Sequence, residues 1–209
     1  GIREVLKHKE VKSIKLIDLD SKMTDFGANH PVFKLLNKGA YQHPKVTVEN
    51  RDAFIALEGD SLYYDVIIID FPDPRSIELS RLYTKEMYSF CKKRLRPNGV
   101  IITQATSPYF QTKAFFCIEK TMRSVGLNTM VVHNHVQSFG EWGWVVGSKL
   151  LSEQAMQSKL RNLDSIPIDN TRWLTPDALK LMTYFGKPVG DTTGVEVNSV
   201  HNPVLFKYY

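Results

Sequence analysis

Four short runs rich in isoleucine and valine, SIKLIDLD from Ser13, KVTVENRD from Lys45, YYDVIIID from Tyr63 and GVIITQA from Gly99, are separated by segments whose apolar residues recur at helical spacing. Strands that alternate with helices need crossover connections, which make neighbouring strands parallel and lay helices on the sheet faces. The intervening helices are read at GIREVLKH, at SKMTDFGANHPVFKLLNKG with a break near Pro31, and around Ala53 to Leu57. A longer stripe through Leu79, Leu82, Tyr83, Met87, Phe90, Cys91 and Leu95 is stopped by RPNG, and another through Ala114, Phe115, Ile118, Met122 and Val125 ends at Gly126. YYDVIIID is apolar almost throughout, which predicts a parallel strand covered on both faces. Two consecutive strands, LNTMVVHNHV and EWGWVVGSK, follow around a turn through Phe139 and Gly140. The pattern predicts an α/β fold, a doubly wound sheet closed by a hairpin-like pair.

From Ser152 the pattern changes to a polar helix, a short helix after Thr175-Pro176 and a closing VNSVHNPVLFKYY. The expected organisation is an α/β domain over 1–149 and a helical extension or cap over 150–209. A chain of 209 residues with 43% apolar and 23% charged residues can bury a substantial core. The net charge of +5 is dispersed, with KHKEVKSIK and CKKRLR as the dense clusters, and no nucleic-acid partner is expected. Cys91 and Cys117 lie among apolar neighbours in helical patterns, which predicts buried free thiols, a reducing compartment and no metal site. No apolar run approaches the roughly 18 residues of a membrane span. The chain begins at Gly1 inside an element, so it reads as a fragment whose preceding strand is absent.

In an open parallel sheet, ligands bind beyond the carboxyl ends of the strands. Here the first strand ends in Asp18 and Asp20, the second has Asp52 just beyond it, the third carries Asp70 and Asp73, and the fourth ends at Gln104. Acids at successive strand ends of a basic chain predict a pocket that repels pyrophosphate and attracts a cation. Asp18 suits ribose hydroxyls, or caps a helix in competition with Asp20 and Ser21; Asp52 suits an adenine amino group or caps the helix from Ala53. Phe71, Tyr109, Phe110, Phe139 and Trp142 supply rings near that rim, a slot for an alkylammonium or a sulfonium by cation–π attraction.

GIREVLKH, KLIDLD, NRDAF, DVIIIDFPDP, the LY-to-MY helix, GVIITQ and SFGEWGWVVGSK, collinear from Gly1 to Lys149, resemble the spermidine synthase family of polyamine aminopropyltransferases. The resemblance implies a Rossmann-like fold of the S-adenosylmethionine-dependent methyltransferase type. It implies transfer of an aminopropyl group from decarboxylated S-adenosylmethionine to a diamine such as putrescine, with release of methylthioadenosine. By the same resemblance Asp70 is the general base, Asp73 holds a substrate amine, Asp18 takes the ribose and Asp52 the adenine edge. Gln104 and Phe139 border the diamine, and Gly1 is the tail of a glycine-rich loop. Asp18 stands where the family usually has glutamate, Phe139 where it has tyrosine, and Arg51 where it has glycine. NPVLFKYY resembles members fused to a membrane-embedded N-terminal part, which implies a cytoplasmic domain, membrane-tethered or not, in the full-length protein; a homodimer is a separate expectation. A methyltransferase using the intact cofactor and a non-catalytic polyamine or nucleoside binder stay open as alternatives.

Overall fold

The computed structural model describes residues 1–166, 171 and 173–209. They form two compact units: Gly1–Gly59 with the described part of Ser165–Trp173, and Asp60–Asp164 with Leu174–Tyr209. These divisions do not coincide with the expected boundary between 149 and 150.

In the first unit, β1 (Ile14–Asp18) pairs in parallel with β2 (Val46–Asn50), with Ile14 opposite Val46 and Asp18 opposite Asn50. The crossover carries α2 (Ser21–Asn29) and α3 (Pro31–Asn37). Asp20 starts α2 by accepting hydrogen bonds from the Lys22 and Met23 N–H groups. His30 is extended, and Pro31 follows at the start of α3, where its missing N–H has no intrahelical partner to lose. The first helix, α1 (Ile2–Val5), is shorter than the GIREVLKH pattern, whereas α4 (Ala53–Gly59) fills its expected place.

The second unit holds β3 (Tyr64–Ile69), β4 (Leu95–Gln104), β5 (Asn128–Val136) and β6 (Gly140–Ser148), in the spatial order β3-β4-β6-β5. β3 and β4 are parallel, while β6 runs antiparallel to both of its neighbours. Helix α7 (Thr112–Ser124) lies close on β6 because two glycines admit it: a Cβ on Gly143 would sit 2.3 Å from Phe115 Cε2, and one on Gly147 2.7 Å from Met122 Sδ. Phe115, Ile118 and Met122 of α7, Met87, Tyr88 and Cys91 of α6 (Lys85–Arg94), and Ile101 and Val145 are buried completely. On the opposite face Met156 of α8 (Glu153–Arg161) packs against Met130 and Val132.

Three expectations are corrected here. Among the described residues of its own unit β3 is covered on one face: Ile67 and Ile69 are 8% and 5% exposed, against 58% and 57% for Val66 and Ile68. It is an edge strand of its sheet, and its neighbours cover one side. The RPNG segment does not stop before β4 but bulges within it, Tyr64 pairing with Leu95 and Val66 already with Val100. The stripe from Leu79 to Leu95 is broken into α5 (Ile77–Ser80), a 3₁₀ turn at Arg81–Tyr83 and α6, because extended Thr84 turns its hydroxyl to the Met87 N–H and starts a new helix.

The C-terminal stretch is anchored through Asn198, which is wholly buried. Its Nδ2 donates to the Ser80 and Tyr83 carbonyls at 2.8 and 3.2 Å, while its Oδ1 accepts from the Val204 and Leu205 N–H groups and from Ser80 Oγ. Short α9 (Pro176–Leu181) starts at the expected signal, capped by Thr175. Among the described residues no helix is long and apolar enough to cross a membrane.

Candidate active site

The acids divide between the two units. In the first, the β1–β2 register brings Asp18 and Asp52 to the carboxyl ends of two paired strands, with the Arg51 N–H donating to the Asp18 carbonyl at 3.1 Å. Capping of α2 falls to Asp20, not Asp18. Asp18 Oδ1 accepts only from the Asp20 N–H, at 2.9 Å, so Oδ2 is uncommitted among the described residues. A carboxylate held through one oxygen and open at the other can accept from a vicinal diol. Asp52 does cap α4: its Oδ1 accepts from the Phe54 and Ile55 N–H groups at 2.8 and 3.2 Å. Beside this end of β2, Thr24, Tyr41, Val48 and Asn50 help to line an open depression of about 240 Å³. Gly1 is the exposed N-cap of α1.

In the second unit, the pairing of Ile69 with Thr103 sets Asp70 and Gln104 at adjacent strand ends. Gln104 also lies opposite Trp144 of antiparallel β6, so the turn bearing Phe139 is at this same end of the sheet. The chain from Asp70 to Ser76 has no regular structure and is fixed by side chains instead. Tyr83, fully buried, donates to the Phe71 and Pro72 carbonyls at 3.0 and 3.1 Å. Gln104 Nε2 donates to the Phe71 carbonyl at 3.0 Å and to the Tyr83 hydroxyl at 2.5 Å, and its Oε1 accepts from the Thr106 N–H. Burial first, then the Asp73 and Asp70 charges, push the Tyr83 phenol well up, so it remains a donor. Thr106 is a non-glycine residue in the left-handed region, at φ 62°, a conformation that costs about 1–3 kcal/mol. The Gln104 bond and the Gly143 N–H, which donates to the Thr106 carbonyl at 2.7 Å, hold it there.

This scaffold presents two different carboxylates. Asp70 is exposed, and among the described residues no hydrogen bond or ion pair engages it. Asp73, 21% exposed, has Oδ2 occupied by the Tyr209 hydroxyl at 2.5 Å and by Arg75 Nη2 at 3.3 Å. An uncommitted carboxylate three residues from an oriented one can divide proton transfer from amine anchoring. Among the described residues, no group of three or more histidines, cysteines, aspartates and glutamates is arranged to hold a metal ion.

The Spermine/spermidine synthase domain model matches residues 1–159. The chain belongs to this family. It is 38% identical over its whole length to a polyamine aminopropyltransferase of Leptospira interrogans and 37% identical, over 99% of its length, to one of Oceanobacillus iheyensis. It spans 40% of the length of each of these relatives. Among solved structures it resembles the spermidine synthase of Thermotoga maritima, with a TM-score of 0.70, 21% identity, and coverage of 88% of this chain and 60% of that one. A spermidine synthase solved with the transition-state analogue AdoDATO gives a TM-score of 0.73 at 21% identity, with coverage of 88% and 61%. The fold is therefore Rossmann-like, of the S-adenosylmethionine-dependent methyltransferase type.

Against the family's expected residue roles, Gln104 is 5% exposed, with both amide hydrogens and its oxygen engaged inside the protein. Its observed work is to hold the turn that carries Asp70 and Asp73. Phe139 is exposed and packs on Trp142, ring centroids 5.4 Å apart. Tyr109 turns instead to His133 and Phe185. Tyr83, Thr106, Asn198 and Tyr209 had no part in the site read from the sequence. Thr106, just past a strand end, and Tyr83, in the helical stripe, carried a local signal of position.

Proposed function

We propose that the protein containing this chain is a spermidine synthase-like aminopropyltransferase, using decarboxylated S-adenosylmethionine and a diamine such as putrescine. The observation that carries this reading is the Asp70 carboxylate at the end of β3, unengaged among the described residues and three residues from an Asp73 already oriented by Tyr209 and Arg75. The fit is electrostatic: both substrates are cations, and the strand ends carry acids in a chain of net charge +5. The sulfonium supplies a methylene carbon activated toward attack. An alkylamine, with a pKa near lysine's ~10.4, arrives as an ammonium and must lose a proton before its nitrogen can attack. Asp70 takes that proton, and Asp73 fixes the amine in line. The new N–C bond forms as the C–S bond breaks with its electron pair passing to sulfur, so neutral methylthioadenosine leaves. Asp18 receives the ribose hydroxyls through Oδ2, and Asp52 takes the adenine amino group while capping α4.

The test is product identity by mass spectrometry in the full-length protein. Putrescine and decarboxylated S-adenosylmethionine should yield methylthioadenosine and an aminopropylated diamine. A methylated product formed from the intact cofactor would replace this reading with a methyltransferase. No conversion with either cofactor would leave a binding protein.

A further inference from the structure

Sequence distance hides a contact made at the Asp73 carboxylate. Tyr209 lies 136 positions away, yet its hydroxyl donates to Asp73 Oδ2 at 2.5 Å, and the Arg75 guanidinium lies over its ring, 5.2 Å from the centroid. This contact is fixed from within its own segment. The segment before it is tied down by the buried Asn198, which receives the Val204 and Leu205 N–H groups, and by Leu205, which is itself fully buried. Asp73 is held from the other side by Pro72 and Pro74 and by the Arg75 N–H, which donates to its carbonyl at 2.8 Å. Tyrosine and arginine meet the same oxygen, and among the described residues Oδ1 has no partner.

We propose that Tyr209 is a positioning residue for amine binding, one that fixes the Asp73 carboxylate with Oδ1 presented to the substrate ammonium. This rests on the functional reading above. The physical reason lies in Arg75. A guanidinium two residues from a carboxylate can form a two-point pair that occupies both oxygens. The Tyr209 hydroxyl takes part of Oδ2, and its ring carries the guanidinium, so Arg75 reaches one oxygen at 3.3 Å and leaves the other open. Arg75 and Tyr209 thus orient the acid without neutralising the face that meets the amine.

Tyr209→Phe keeps the ring and removes the donor. In the full-length protein it should raise the diamine Kd, measured by calorimetry, and the diamine KM by about tenfold, the low end for a hydrogen bond to a charged group. The nucleoside KM should stay unchanged, and the melting temperature should fall only slightly, by about 2–4 °C for each kcal/mol of the lost hydrogen bond. In an Asp73→Asn background the same substitution should have no further effect, since the two act as a unit. A diamine Kd unchanged in Tyr209→Phe, a loss confined to thermal stability, or additive losses in the double variant would each overturn the inference while leaving aminopropyl transfer intact. A wild-type protein that neither binds nor converts a diamine would instead refute the functional reading, and this inference with it.

Discussion

Asn198→Ala should unfasten the C-terminal segment from the second unit. The wild-type side chain gives two hydrogen bonds and receives three, all in a site without solvent exposure. Truncation strands the Ser80 and Tyr83 carbonyls and the Val204 and Leu205 N–H groups. Each buried group left without a partner costs about 1–3 kcal/mol, and neighbours in one network do not add, because a single rearrangement or one water can serve several of them. A net loss of about 3 kcal/mol follows, or a fall of roughly 6–12 °C in melting temperature for a chain of this size. The assay is a calorimetric or circular-dichroism melt, with Asn202→Ala as control. Asn202 is exposed and its amide reaches Glu196 only at 3.5 Å, so that variant should stay within about 0.5 kcal/mol of wild type. Asn198→Ala should also raise the diamine KM, because Tyr209 is held to Asp73 by the segment that Asn198 anchors. A melting temperature within about 2 °C of wild type would refute the reasoning, showing that buried apolar contacts such as Leu205 hold the segment without the asparagine.

If Asp18 receives the ribose hydroxyls as proposed, Asp18→Asn should raise the KM for the nucleoside substrate while largely preserving kcat, since such contacts are made in ground and transition states alike; steady-state kinetics with an unchanged KM would return Asp18 to a structural role. Gly143→Ala should destabilise by about 1–3 kcal/mol in a denaturant titration, because the added methyl would meet the buried Phe115 ring at 2.3 Å. Burial pushes the Cys91 and Cys117 thiols up to about 12, so neither should react with a thiol reagent in native protein at pH 8, and both should in denaturant. The same shift sets a pH dependence. Between the ordinary thiol pKa near 8.5 and about 12 the folded state keeps protons that the unfolded chain releases, so this contribution to stability is constant below that window and lost as pH rises through it.

Local chemistry was legible in the sequence where it is decided locally. Asp20 and Thr175 cap the helices whose starts they mark, Pro31 divides α2 from α3, and the four apolar runs became β1 to β4. The competition between Asp18 and Asp20 was visible too, although only geometry could decide it. What failed were inferences that depend on neighbours. The run VIIID reads as covered on both faces because periodicity reports apolar character, while coverage depends on which elements pack there, and Val66 and Ile68 are exposed. The insertion of β6 between β4 and β5 follows from pairing partners that a hairpin pattern does not specify. Asn198 and Tyr209 lay in the closing VNSVHNPVLFKYY with no sign of their partners, since a residue that bonds across more than a hundred positions leaves no periodic trace. Gln104 was found by its strand end, but its engagement with Phe71 and Tyr83 emerges only once the turn is folded.

The most direct test of Asp70 as the base is the rate of methylthioadenosine release at saturating diamine and decarboxylated S-adenosylmethionine, comparing Asp70→Asn with wild type in the full-length protein. The substitution is nearly isosteric and removes no hydrogen bond described within the protein, so the melt and nucleoside affinity should be preserved. Turnover should fall by about 10²–10⁴, the usual contribution of a positioned general base. A variant that keeps more than about a tenth of wild-type turnover, with nucleoside affinity unchanged, would show that Asp70 is not that base.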